Sequence, residues 1–101
     1  MAAMTRDEAI HALKALEPEV RALGVTGLFL YGSTARDEAR ADSDIDIFVD
    51  YERGGRFSGW DIVGVQQLVE ARLPKPCHVN TRNGLRRLMP YGVEADMVRV
   101  F

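Results

Sequence analysis

Apolar residues change their spacing several times along this chain, and each change marks an element. Ile10, Leu13, Leu16, Val20 and Leu23 recur at helical intervals. Thr5-Arg6-Asp7-Glu8 precedes them as a capping box, in which the Thr5 hydroxyl accepts from the Glu8 amide and Glu8 reaches back. Pro18 falls inside the pattern, so it either opens a second helical piece or kinks the first, and Gly24 is the stop. The run Val25–Tyr31 is apolar on both faces, as in a buried strand. Gly32-Ser33 ends it, Thr34–Ala39 can form a short helix, and Arg40–Ser43 is a polar turn.

From Asp44 to Tyr51 the spacing becomes twofold: Ile45, Ile47 and Val49 share one face, with Asp44, Asp46 and Asp50 on the other. Glu52–Phe57, with Gly54-Gly55, is a loop. Ser58 caps a helix over Gly59–Leu73, whose stripe is Ile62, Val65, Leu68, Val69 and Leu73. Pro74 and Pro76 end it, and Cys77–Thr81 is a short third strand. Asn83–Met89 and Pro90–Val100 read as two further helices. This order predicts an α/β sandwich, a small sheet covered by helices, formed as a single domain over residues 1–101.

Composition narrows the class. The 101 residues are 47% apolar and 28% charged, which disfavours disorder. No signal peptide or membrane span is legible, and the single cysteine, Cys77, has no internal disulfide partner, which fits a cytoplasmic protein. Cys77 reads as a half-buried strand residue. A net charge of -2 argues against direct nucleic-acid binding. Acids crowd from Asp37 to Glu52, which suits cations, whereas Arg72, Lys75, Arg82, Arg86, Arg87 and Arg99 make the last third basic.

The candidate chemistry lies between residues 32 and 46. Carboxylates at i and i+2 of a strand share a face with Cα atoms roughly 7 Å apart, close enough to converge on one divalent ion or bridge two. Hard oxygens of this kind select Mg²⁺ or Mn²⁺, whose remaining positions go to triphosphate oxygens and water. Gly32 lets backbone approach a phosphate, and Ser33 offers an amide, a hydroxyl and a helix start. Arg36 and Arg40 lie within reach of phosphate or a partner, or pair with Asp37, Glu38 or Asp42.

The stretch GSTARDEARADSDIDIFVDY resembles the signature of the DNA polymerase β-like nucleotidyltransferase superfamily, and in detail its minimal nucleotidyltransferase subfamily. The resemblance extends to the proline-containing N-terminal helix, the helix after the second strand and Glu94-Ala95. It implies an α+β fold with a small mixed sheet of about three to four strands flanked by helices. It also implies Asp44 and Asp46 as metal ligands, Gly32 and Ser33 on the nucleotide phosphates, and ATP with Mg²⁺ or Mn²⁺ as the reactants. The partner implied is a HEPN-domain toxin, held in a hetero-oligomer and neutralised by AMP transfer to its hydroxyl or by masking.

The resemblance breaks at one point. The superfamily carries a third carboxylate on the strand after the long helix, and aligning Thr81-Arg82 with the usual pair puts His78 there. No acid lies between Glu70 and Glu94, and Asp50 lies roughly 13 Å beyond Asp46 along its strand. His78 is then either an altered base and nitrogen ligand or the mark of a site whose chemistry has weakened. Core or interface packing is expected for Trp60, Tyr51 and Tyr91, and a solvated helix face for Arg82, Arg86 and Arg87.

Overall fold

A computed structural model describes residues 3–88 and 93–101. Helix α1 (Arg6–Lys14) begins at the Thr5 capping box, with Glu8 N–H donating to Thr5 Oγ1 and Thr5 N–H to Glu8 Oε1, both at 3.1 Å. Pro18 resolves in favour of a new start: it sits in the first turn of α2 (Glu17–Ala22), where its missing N–H costs nothing. Gly24, at φ +104°, turns the chain into strand β1 (Val25–Tyr31). The single turn α3 (Gly32–Ala35) follows at once, shorter and earlier than Thr34–Ala39. Strand β2 (Ile45–Tyr51), helix α4 (Gly59–Arg72) and strand β3 (Cys77–Thr81) come next.

The C-terminal part departs from expectation. Helix α5 (Arg82–Leu88) holds, but α6 spans only Val93–Asp96, and Val98–Arg99 forms a fourth strand, β4. A helix over Pro90–Val100 is therefore corrected: β-branched Val98 gains more in an edge strand beside β1 than in a last helical turn, and Val100 N–H, just past the strand, donates to the Leu28 carbonyl at 2.8 Å. Pro90 and Tyr91 lie outside the described residues.

The sheet order is β3-β2-β1-β4. Strands β2 and β3 are parallel, joined across α4, while β1 runs antiparallel to both β2 and β4. Alternation, broken only by an irregularity between Val25 and Gly27 in β1, gives the sheet two different faces. Leu28, Leu30, Ile45, Ile47, Val49 and Cys77 meet Leu13, Leu16, Val20, Val65, Val69 and Leu73 of the helices in one core. Phe29, Tyr31 and Phe48 occupy the opposite face, covered by Leu85 of α5 and flanked by Met97. That second face also carries Asp44, Asp46 and His78. Cys77 is buried rather than half-buried, and its thiol is pushed up to about 12, first by burial and then by Glu70 and Asp46.

Candidate functional site

The register decides which polar residues meet. Tyr31 pairs with Asp46 across β1 and β2, and Asp46 pairs with His78 across β2 and β3. These three side chains therefore form one transverse row on the second face. Asp44, just ahead of β2, lies beside it: His78 Nε2 stands 2.8 Å from Asp44 Oδ2. His78 therefore lies on the same face of the sheet as both aspartates.

Gly32 closes the row at the end of β1. Its φ is +75°, a conformation that L side chains rarely adopt, and a Cβ there would lie 2.6 Å from Asp46 Oδ2. Glycine is required twice over: by the turn and by the carboxylate lying on it. Ser33 is only partly buried, and its carbonyl accepts from Glu38 N–H at 2.8 Å, which curls the chain back after α3.

The connection into β2 is anchored by its own polar atoms. Asp37 adopts φ +59° and accepts the Arg6 N–H through Oδ1 at 2.9 Å, so it caps α1 instead of facing the site. Arg40 N–H donates to Ser43 Oγ at 2.8 Å. Lys75 Nζ donates to the carbonyls of Arg40 and Ala41 at 3.2 and 2.9 Å, tying this loop to the turn before β3. The two elements that bear Asp44 and His78 are thereby fixed to each other. Arg36 pairs with Glu38 at 3.3 Å and Asp96 at 3.6 Å, yet its charge still reaches Asp46.

Burial pushes the Asp46 carboxyl above its usual range; His78 and Arg36 pull it down, and Asp44 raises it. A half-buried carboxylate held at such a cost, with a second one beside it, fits a cation. Among the described residues no three His, Cys, Asp or Glu side chains form a metal-binding group by themselves. The two aspartates nonetheless offer a pair of hard oxygen donors on one face, and Mg²⁺ habitually completes so sparse a protein set with water and phosphate oxygens.

Two residues of this site escaped the sequence reading. Asn80 Nδ2 donates to the Tyr31 hydroxyl at 3.1 Å, placing a neutral pair directly behind Asp46 and His78. Tyr31 had counted only as an apolar strand former, although twofold alternation puts it on the aspartate face. Another expectation fails outright. Arg82 is no solvated helix residue: it grips Asp50 in a bidentate pair at 2.9 and 3.0 Å and lies over the rings of Phe29 and Phe48. Trp60, 85% exposed, is no core residue, which leaves the interface half of its expectation open, and Tyr51 is packed as expected, stacked on Phe57 with centroids 4.7 Å apart.

Known proteins resemble this chain in sequence and in fold. The profile of the family described as Nucleotidyltransferase domain matches residues 12–99, and the chain belongs to that family. Over 53 residues it is 43% identical to the Protein adenylyltransferase MntA of Thermococcus cleftensis, a stretch covering 52% of this chain and 54% of that protein. The chain thus spans about half the length of that curated relative.

Among solved structures, a putative minimal nucleotidyltransferase superposes with a TM-score of 0.77 over 94% of this chain and 95% of that one, at 24% identity. A structure described as a toxin-antitoxin with AMP-PNP gives a TM-score of 0.68 at 14% identity, covering 87% of this chain and 72% of that one. A structure described as a putative nucleotidyltransferase from Sulfolobus solfataricus gives 0.58 at 20% identity, covering 93% of this chain and 80% of that one. At these identities the likeness is one of fold, and it confirms the mixed four-stranded sheet flanked by helices. No helix among the described residues is long and apolar enough to cross a membrane.

Proposed function

We propose that this chain transfers a nucleoside monophosphate, AMP from ATP, to a hydroxyl of a partner protein. In this reading the partner is a HEPN-type toxin and the chain is its antitoxin. The carrying observation is the row Gly32, Asp46, His78 with Asp44 at its side, which puts a phosphate-compatible turn against two carboxylates. Two similar proteins, one named an adenylyltransferase and one described as a toxin-antitoxin with AMP-PNP, support the same class.

Asp44 and Asp46 would hold Mg²⁺ or Mn²⁺, which supplies charge neutralisation and activation of the attacking oxygen when bound. Gly32 lets the Asp46 carboxylate lie against the turn, and the Ser33 amide and hydroxyl would donate to phosphate oxygens. The acceptor hydroxyl attacks the α-phosphate in line, and pyrophosphate leaves. With His78 Nε2–H donating to Asp44 Oδ2, the other ring nitrogen, Nδ1, takes the acceptor proton in place of the missing carboxylate. Arg36, close enough to influence Asp46, adds positive charge on the phosphate side. Arg40 steadies the connection into β2 through its backbone. The test is incubation with labelled ATP, Mg²⁺ or Mn²⁺ and the product of the neighbouring gene. Label should reach the partner with the wild-type chain and not with Asp44→Asn/Asp46→Asn; equal labelling by both proteins would refute transfer at this site.

A second reading rests on the 2.8 Å contact between His78 and Asp44. One carboxylate is already paired, which suits an antitoxin that neutralises its ribonuclease by binding alone. Under that reading the double Asp→Asn protein neutralises as well as the wild type.

A further inference from the structure

Strand β2 ends roughly 16 Å beyond Asp46, in a polar region that the transferase reading does not use. A cavity of about 80 Å³ opens there, lined by Val49, Asp50, Tyr51, Arg53, Arg82 and Asn83. The turn after β2 builds one wall. Gly55 N–H donates to the Glu52 carbonyl at 3.2 Å and Gly54 takes φ +80°, which carries Arg53 to the cavity. Phe57 anchors this turn by packing against the main core and stacking on Tyr51, with the ring planes 14° apart. Tyr51 thus has a ring face covered by Phe57, while it is 36% exposed and forms part of the cavity wall. Trp60 follows three residues after Phe57, within about 10 Å along the backbone, in the first turn of α4. It is the chain's single tryptophan and is 85% exposed, an unusual place for so large an apolar ring.

The net charge of -2 hides a separation of charge. Two acids of this region are already engaged: Asp50 in the bidentate grip of Arg82, and Asp61 with the Ser58 N–H at 2.8 Å in the cap of α4. Against Glu52 stand Arg53 and Arg56 on the turn and Arg86 and Arg87 on α5, all exposed. Cations interleaved with open aromatic rings make a platform for a single strand, on which the cations track phosphates and the rings stack bases. Asp50 favours ribose over deoxyribose. Each of its oxygens takes one Arg82 N–H and keeps a lone pair, which repels phosphate but accepts from a 2′-hydroxyl. The exposed Asn83 amide in the same wall can donate to that hydroxyl. Arg56 and Trp60 stand outside the cavity lining, so they suit a strand that continues past it and not a single nucleotide.

We propose that this end of the sheet binds single-stranded RNA. A base continues the Phe57–Tyr51 stack, its ribose meets Asp50 and Asn83, Arg53 takes a phosphate, and a neighbouring base stacks on Trp60. The site is separate from Asp44 and Asp46 and stands whether or not they transfer a nucleotide.

Titration of the full chain with an oligouridine of about ten nucleotides, followed by Trp60 fluorescence and by anisotropy of labelled RNA, tests the proposal. The RNA should quench Trp60. Trp60→Ala changes an exposed side chain, so it should keep the wild-type Tm and weaken RNA binding about fivefold or more, the worth of one base stack. Arg53→Gln should weaken binding too and reduce the slope of log K against log salt by about 0.7. The deoxy oligonucleotide of the same length should bind more weakly, and Asn83→Ala should narrow that gap. Wild-type RNA binding by both Trp60→Ala and Arg53→Gln would overturn the site. Loss of binding in Asp44→Asn/Asp46→Asn would move the RNA to the aspartates and overturn it equally. Equal affinity for the two oligonucleotides would overturn the assignment to RNA, and equal affinity for AMP would overturn the strand. Absence of oligonucleotide binding refutes the proposal, and quenching of Trp60 by the neighbouring gene's product would then give this face to a protein.

Discussion

Asp46 lies on the backbone of Gly32, so closely that a Cβ at residue 32 would meet Asp46 Oδ2 at 2.6 Å. Turn and carboxylate are therefore one unit, and neither can be altered alone. Gly32→Ala should lower stability by about 1–3 kcal/mol through the left-handed φ and displace the Asp46 carboxylate as well. Thermal unfolding together with ATP titration checks both effects. A variant that keeps wild-type Tm and ATP affinity would contradict this geometry.

Asp46 should cost the protein stability. Its carboxyl is held above the usual value chiefly by burial, so the folded state binds its proton more tightly than the unfolded state does. Stability then falls as pH rises from the ordinary carboxylate value through the raised one, and stays lower above it. Asp46→Asn should raise Tm by a few degrees at pH 7 and by less near pH 4. Equal shifts at both pH values would show that the gain is not electrostatic.

His78→Asp should place a third carboxylate against Asp44, where the imidazole now sits at 2.8 Å. Like charges at that spacing repel, so the metal-free variant should melt below the wild type. Millimolar Mg²⁺ should then raise the Tm of the variant more than that of the wild type, and transfer to the partner should increase. Equal Mg²⁺ responses would mean that residue 78 does not face the cation position.

Arg82→Met should destabilise the chain by about 1–3 kcal/mol, because it leaves Asp50 without its bidentate partner and strips a cation from the Phe29–Phe48 stack. Chemical denaturation gives the value directly. A loss below about 0.5 kcal/mol would class the pair with ordinary surface bridges.

Cys77 should resist thiol reagents in the native state, since it is buried and its thiol is pushed up to about 12. Modification should track global unfolding across a denaturant series. Rapid labelling of the native protein would show that β3 opens locally.

The sequence by itself determined the order of the elements up to β3 and the side of β2 that carries carboxylates. These are local matters: capping pairs, proline and glycine punctuation, and twofold or helical spacing follow from short-range sterics and hydrogen bonding. Alternation also made Asp44 and Asp46 neighbours before any fold was known. Tertiary structure alone decided the rest. Val98–Arg99 became a strand because β1 presented an open edge, which no local propensity could announce. Arg82 left the solvent because Asp50 and two aromatic rings converged on it from other strands. The register put Tyr31 and His78 on either side of Asp46, and side-chain reach brought Asn80 to the Tyr31 hydroxyl from a position 49 residues away. Pairing across strands is a long-range choice, and it converts two motifs in a sequence into one site.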